Sequence, residues 1–281
     1  MKYQVSKKDI AIVGMSGTFP DSENLNEFWE NLSDGKELIR FYDDEELLKL
    51  GVDQKTLDNP HFVKADSKLN NAAYFDYPFF GYSHEEAELM DPQTRLLHEH
   101  VWAALENSNC QVDVDTEKIG LFVAASDNVN WRAHALMNPS PAVSPFFSNQ
   151  ISNKEFCNTL ISYNLNLRGP SYFIDTACSS SLVATHIACR NLLMKECSIA
   201  VAGGVRVDTN DKYGYHFQEG MIHSRDGHCK PFDASSKGAV AGEGGGIVVL
   251  KGAEDALKNK DTIYARSEEH TSELQSHQEL V

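Results

Sequence analysis

Basic residues are scarce. Lys and Arg number 25 against 41 Asp and Glu, leaving a net charge of −16. Neutralising phosphates needs the opposite surplus, which argues against a general nucleic-acid binder, although not against a local basic patch. No run of about 18 apolar residues occurs, so no membrane-spanning helix is expected. Met1 to Asp9 is polar and Lys-rich, with no signal-type apolar core before Ile10–Met15. A cytoplasmic location with reduced cysteines is the resulting expectation. The six cysteines (Cys110, Cys157, Cys178, Cys189, Cys197 and Cys229) include no CxxC pair. That spacing argues against a disulfide framework and against a metal site of the zinc type. No repeat of roughly 20–50 residues is visible, which excludes a solenoid.

What remains is ordinary globular material. The 281 residues are 41% hydrophobic, 10% aromatic and 23% charged. They suffice for one large or two modest domains with a sizeable core. Short apolar runs read as buried strands at Ile10–Gly14, Ile119–Ala124, Ser171–Asp175, Ile199–Ala202 and Gly245–Lys251. Helical spacing and caps predict helices over Asp21–Gly35, Asp43–Leu50 and Asn153–Asn164. Others are expected after the Ser83–Glu86 capping box, after Asp91-Pro92, over Ser179–Lys195 and over Ala253–Lys260. In the Ser179–Lys195 helix, Leu182, Val183, Ile187 and Leu192 are expected inside. Trp131–Asn149, with Pro139, Pro141 and Pro145, reads as a long ordered loop. Strands alternating with helices make the class α/β.

The two ends are set apart. Residues 1–8 read as a lead. Residues 266–281, RSEEHTSELQSHQELV, lack strand alternation and have little to bury. They resemble translated adaptor sequence and are expected to be foreign to the fold. The plainer reading is a disordered tail.

The most informative segment is Gly169-Pro-Ser-Tyr-Phe-Ile-Asp-Thr-Ala-Cys178-Ser-Ser-Ser-Leu-Val-Ala. Cys178 falls between a short strand and an apolar helix, as in a nucleophile elbow. A helix N-terminus carries unpaired N–H groups and positive dipole charge, which favour a thiolate. A thiolate both attacks a thioester and leaves well, so it suits acyl transfer. Small neighbours Ala177, Ser179, Ser180 and Ser181 let a substrate approach. Asp175 and Thr176 either stabilise the turn or shape a site, turn support being the safer reading. Taken alone, such a cysteine is more often a buried structural residue beside a serine-rich cap.

Two glycine-rich stretches suggest nucleotide binding and fail it. Gly242-Glu-Gly-Gly-Gly246 lacks the GxxxxGK[ST] pattern and precedes a strand. Close backbone packing explains it better. Gly14-Met-Ser-Gly17 lacks the third glycine of a dinucleotide fingerprint. Glu243 has the chemistry of a general base, but a hydrogen-bonded loop carboxylate is the simpler reading.

The segment around Cys178 resembles the active-site motif of β-ketoacyl synthases, within the thiolase-like superfamily. Other stretches resemble the family in the same order. They are Asp9-Ile-Ala-Ile-Val-Gly-Met-Ser-Gly-Thr-Phe-Pro20, Asp91-Pro-Gln-Thr-Arg-Leu-Leu97, Trp102-Ala-Ala-Leu-Glu106 and Ile161–Pro170. Ala202-Gly-Gly-Val205, Lys230-Pro-Phe-Asp-Ala234 and Gly242–Gly246 follow. The resemblance covers residues 9–265 and is closest to ketosynthase domains of modular type I polyketide synthases and hybrid polyketide–peptide synthases.

The resemblance implies a layered α/β thiolase-like fold, here its N-terminal half, truncated, with a mixed sheet packed between helices. It implies that Cys178 takes an acyl chain from the phosphopantetheine of an acyl carrier protein, with no cofactor bound directly. A malonyl-type extender would then lose CO2 and condense with that chain. It implies a homodimer at full length, and places the Trp131–Gln150 region near the dimer interface and the acyl tunnel, an ordinary surface loop being the equal alternative. The family's two further histidines lie in HGTGT-like and NxGH-like motifs. None of the eleven histidines here has either context. The expectation is therefore a nucleophile without decarboxylation machinery, with an exposed apolar face prone to self-association. A non-elongating ketosynthase-like domain is the alternative. A different thiolase-superfamily enzyme is disfavoured by Thr-Ala-Cys-Ser-Ser-Ser, and a chain-length-factor-like partner by the cysteine itself.

Overall fold

A computed structural model of the chain describes residues 6–109, 117–210 and 213–267. It divides into two compact units. One comprises Met1–Gly17, Ala73–Val205 and Gly245–Val281, the other Thr18–Ala72 and Arg206–Gly244.

The first unit holds a six-stranded mixed sheet. Its strands are β1 (Ile10–Thr18), β5 (Ile119–Ala125), β6 (Ser171–Phe173), β7 (Ile199–Arg206), β9 (Gly244–Gly252) and β10 (Ala265–Ser267). Their spatial order is β10-β1-β9-β7-β5-β6. β5 runs parallel to both β6 and β7, while β10 is antiparallel to β1. Every residue of β5 is buried, as expected of an apolar strand covered on both faces. The helices of this unit are α4 (His84–Leu89), α5 (Pro92–Asn107), α6 (Val129–Met137), α7 (Pro145–Ile151), α8 (Cys157–Asn164), α9 (Ser180–Leu193) and α10 (Ala253–Asn259). Phe122 of β5, Ala200 and Ala202 of β7 and Ala184, Ala188 and Leu192 of α9 form one buried cluster.

Two glycines are fixed by close approach. A Cβ on Gly14 would lie 2.5 Å from the Ala104 carbonyl oxygen, so β1 and α5 pack backbone to backbone there. A Cβ on Gly203 would lie 2.0 Å from the Gly246 carbonyl oxygen, where β7 meets β9. Gly246 thus serves close strand packing.

The region read as a loop after Trp131 is helical in part. Its prolines suggest irregular chain, but they mark helix boundaries. α6 ends before Pro139, and Pro145 occupies the first turn of α7, where its missing N–H costs nothing. Ser144 caps α7 by accepting the Phe147 N–H at 3.2 Å. Ala135, Val143 and Ile151 are buried with Phe80, Tyr82, Leu89 and Met90.

The far end also differs from expectation. β10 includes Arg266, which pairs in register with Ala11 and bonds Asp9 at 3.0 Å. The paired strand thus runs past the boundary drawn at Ala265. Residues 268–281, most of the expected foreign tail, lie outside the described residues.

The second unit contains α1 (Leu25–Ser33), α2 (Asp44–Lys49), α3 (Gln54–Leu57) and two small sheets. β2 (Arg40–Phe41) pairs with β4 (Ala65–Asp66), and β3 (Phe62–Val63) with β8 (Tyr215–His216), both antiparallel. Asn24 caps α1 by accepting the Asn26 and Glu27 N–H groups. The apolar stripe that announces α1 is not buried, however: Trp29 is 70% exposed and Leu32 50%.

His98 on α5 gives the fold a pH dependence. Its Nδ1 lies 2.7 Å from the Thr94 carbonyl and its Nε2 3.3 Å from the Tyr82 hydroxyl. Complete burial pushes the imidazole down to about 4. The unfolded chain takes up this proton near pH 6.5, the native chain only near 4, so protons favour unfolding between those limits. Stability from this group is full above pH 6.5 and falls by about 3 kcal/mol as pH drops toward 4. Urea unfolding midpoints should decline across that window, and His98→Gln should make the decline shallower without abolishing it, because burial also pushes His100 down to about 4. An equally steep decline in the variant would assign the dependence to other groups.

Candidate active site

β6 ends at Phe173 on the sheet edge. The Ile174 N–H still bonds the Val123 carbonyl at 2.9 Å, and its side chain is buried. The chain then leaves the sheet through Asp175 and Thr176. A single 3-10 turn, Ala177–Ser179, leads into α9. Cys178 lies on this turn and is exposed.

The turn is built from short polar side chains. Ala177 has φ +55°, a left-handed conformation costing a non-glycine residue about 1–3 kcal/mol. Local bonds offset that strain. The Ala177 N–H donates to Asp175 Oδ1 at 3.3 Å. The Thr176 N–H donates to Ser180 Oγ at 2.8 Å, and that hydroxyl donates to the Ala177 carbonyl at 2.7 Å. The Ser179 hydroxyl reaches the Thr176 carbonyl at 2.9 Å and Oγ1 at 3.0 Å. Asp175, Thr176, Ala177 and Ser179 are therefore brought together around Cys178. The Lys154 ammonium, 2.8 Å from Asp175 Oδ2, holds that carboxyl below the usual range, helped by the Ala177 N–H.

Behind the turn, α9 lies across β5 with Ala184, Ala188 and Leu192 buried at intervals of four. Leu182, expected inside with them, is 74% exposed. It sits two residues from Ala184, about 200° round the helix, and so faces away from the sheet. Gly204 admits the first turn of α9: a Cβ there would be 3.2 Å from Ser181 Cβ.

Among the described residues, no histidine hydrogen-bonds to the Cys178 sulfur. His98 and His100 are on α5. His100 bonds Ser16 Oγ at 2.8 Å, and burial pushes it down to about 4. His186 is exposed on α9. His223 lies tilted against the Tyr215 ring, and His228 pairs with Glu37. Of the other described cysteines, Cys157 and Cys197 are buried. Burial pushes the Cys157 thiol far up and Cys197 to about 11, which leaves both inert near neutral pH. Cys229 is exposed, and Cys110 lies outside the described residues. Glu243, in the second unit, accepts the Leu69 and Asp208 N–H groups at 2.8 and 3.0 Å and is a loop-tying carboxylate.

The profile of the β-ketoacyl synthase N-terminal domain matches residues 7–256. The chain belongs to the β-ketoacyl synthase family. A phenolphthiocerol/phthiocerol polyketide synthase protein of Mycobacterium tuberculosis is 38% identical over 270 residues, which are 93% of this chain and 18% of that protein. Polyketide synthase PksN of Bacillus subtilis is 38% identical over 262 residues, 91% of this chain and 5% of that protein. The crystal structure of ketosynthase twelve from the bacillaene polyketide synthase of Bacillus amyloliquefaciens superposes with a TM-score of 0.86 at 38% identity. It covers 92% of this chain and 46% of that one. The module 1 ketosynthase of the bacillaene synthase gives 0.79 at 34% identity, covering 94% and 46%. The chain thus spans less than a fifth of these polyketide synthases and just under half of these ketosynthase structures. Its mixed α/β architecture is the thiolase-like fold of ketosynthases.

Two contacts outside the turn escape sequence reading. Lys154 stands 21 residues before Asp175, and no local pattern links them. Gln93, within the family-like Asp91–Leu97 stretch, is fully buried and clamps the end of β5. Its Nε2 donates to the Ser126 carbonyl at 3.0 Å, while its Oε1 accepts the Ser126 N–H and hydroxyl at 3.1 and 2.7 Å.

Proposed function

We propose that Cys178 is the acyl-accepting nucleophile of a polyketide-type ketosynthase. The observation that carries this reading is an exposed cysteine on a strained, hydrogen-bonded turn at the start of a helix, in a chain of this family. The first turn of α9 offers backbone N–H groups to a developing oxyanion. The substrate is an acyl thioester on the phosphopantetheine of an acyl carrier protein. The thiolate adds to the thioester carbonyl, and a carbon–sulfur bond to Cys178 forms. The tetrahedral species collapses with cleavage of the bond to the pantetheine sulfur. That thiolate takes up the proton that Cys178 gave up.

In a complete synthase, the carbanion from a decarboxylating malonyl-type extender attacks the acyl-Cys178 carbonyl. A 3-oxoacyl thioester two carbons longer leaves, and the Cys178 thiolate is restored. The step we assign to Cys178 in these residues is the acyl transfer. The alternative is a non-elongating ketosynthase-like domain, which binds or passes acyl chains without extending them. The test supplies an acyl-loaded carrier and follows the protein by mass spectrometry. An acyl-enzyme at Cys178 is expected, and its absence in folded protein would overturn the assignment.

A further inference from the structure

Lys154 is a charged side chain that joins the turn of Cys178 to a neighbouring element. It opens a 3-10 turn, Lys154–Phe156, that runs directly into α8. α8 is itself bolted to β6: Asn158 Nδ2 donates to Ser171 Oγ at 3.0 Å, and Ser162 Oγ lies 2.9 Å from the same oxygen. The Lys154 side chain is only 15% exposed, whereas Asp175 is half exposed. Its ammonium lies 2.8 Å from Asp175 Oδ2 and 5.9 Å from the centre of the Phe173 ring. The other oxygen of the same carboxylate receives the Ala177 N–H. A continuous path therefore runs from the α8–β6 layer through Lys154 and Asp175 to the left-handed residue immediately before Cys178.

We infer that Lys154 is a positioning residue: through Asp175 it holds Ala177 in its strained conformation and so keeps the Cys178 sulfur at the start of α9. The inference rests on Cys178 being the nucleophile proposed above. Without the ammonium, Asp175 has no fixed partner on the turn before α8, and its half-exposed carboxylate turns to water. The Ala177 N–H then loses its acceptor, and the turn relaxes toward conformations an alanine prefers. Small losses of alignment at a reacting group are expensive, on the order of a hundredfold for about 1 Å.

The test uses the full chain and two reactions of Cys178: alkylation by neutral iodoacetamide at fixed pH, read by peptide mass spectrometry, and acyl transfer from a thioester. Lys154→Met removes the cation, and Asp175→Asn removes the anion while keeping an amide oxygen for the Ala177 N–H. A through-space charge effect predicts opposite results, slower alkylation without the cation and faster without the anion. Positioning predicts that both variants slow alkylation, Lys154→Met by about tenfold and Asp175→Asn by less. Lys154→Arg, which restores the ion pair, should return the rate to within about threefold of the parent. Opposite-signed changes, an unchanged rate in Lys154→Met, or no rescue by arginine in a folded variant would overturn the inference. Alkylation needs no acyl donor. Parent protein that alkylates as described but never acylates would therefore refute the proposed function and leave the role of Lys154 at the turn standing.

Discussion

Cys178→Ser is expected to slow acyl transfer from a carrier thioester by at least about a thousandfold, some 4 kcal/mol of barrier. The turn would survive the change, since serine fits the same exposed position. What is lost is sulfur as the nucleophile, which attacks a thioester far better than a hydroxyl that has no general base beside it. Among the described residues no histidine hydrogen-bonds to position 178, so none is placed to take the serine proton. The control is Cys229→Ser, another exposed cysteine, which lies in the second unit and should react like the parent. Single-turnover measurements of acyl-enzyme formation make the comparison. A Cys178→Ser rate within about threefold of the parent would exclude the cysteine as the nucleophile.

Gly203→Ala is expected to cost at least about 3 kcal/mol, a large part of the roughly 5–15 kcal/mol that holds a typical domain. The added methyl would lie 2.0 Å from the Gly246 carbonyl oxygen and 2.8 Å from Ile247 Cδ1. The isoleucine tip can rotate, but the carbonyl belongs to β9, the neighbour of β7 inside the sheet. Relief requires parting two interior strands. Gly242→Ala is the matched comparison. Its Cβ would meet only Ser67, at 3.6 and 3.8 Å, which is ordinary contact, so a change within about 1 kcal/mol is expected. Urea unfolding of the two variants decides the matter. Equal midpoints would mean that β7 and β9 do not approach as closely as described.

These two predictions mark what the sequence does and does not disclose. Strand–turn–helix around Cys178 is legible because each part is local. Ser171–Ile174 has strand character, Asp175 to Ser181 is small and polar, and Ala184, Ala188 and Leu192 repeat at helical spacing. The sheet strands are legible as apolar runs for the same reason. Contacts distant in sequence are not. Lys154 and Asp175 meet because α8 packs beside β6, and Gly203 meets Gly246 because β7 neighbours β9. Periodicity also tells which residues share a face without telling what covers it. Leu182 and the Trp29–Leu32 stripe of α1 are apolar, correctly helical and exposed. The prolines between Asn138 and Phe146 are boundaries of α6 and α7, although their density alone suggests a loop. At the site itself, Cys178 and its four turn neighbours are adjacent in the chain and can be named from it. Lys154, the residue that fixes their carboxylate, is not.

The central claim is that one sulfur carries the acyl chain. Incubating the folded 281-residue protein with an acyl-carrier thioester and mapping its peptides by mass spectrometry tests it most directly. The predicted result is one acyl adduct, on the peptide containing Cys178, released by hydroxylamine as thioesters are. An adduct elsewhere, or an unmodified Cys178 in protein shown to be folded, would contradict it.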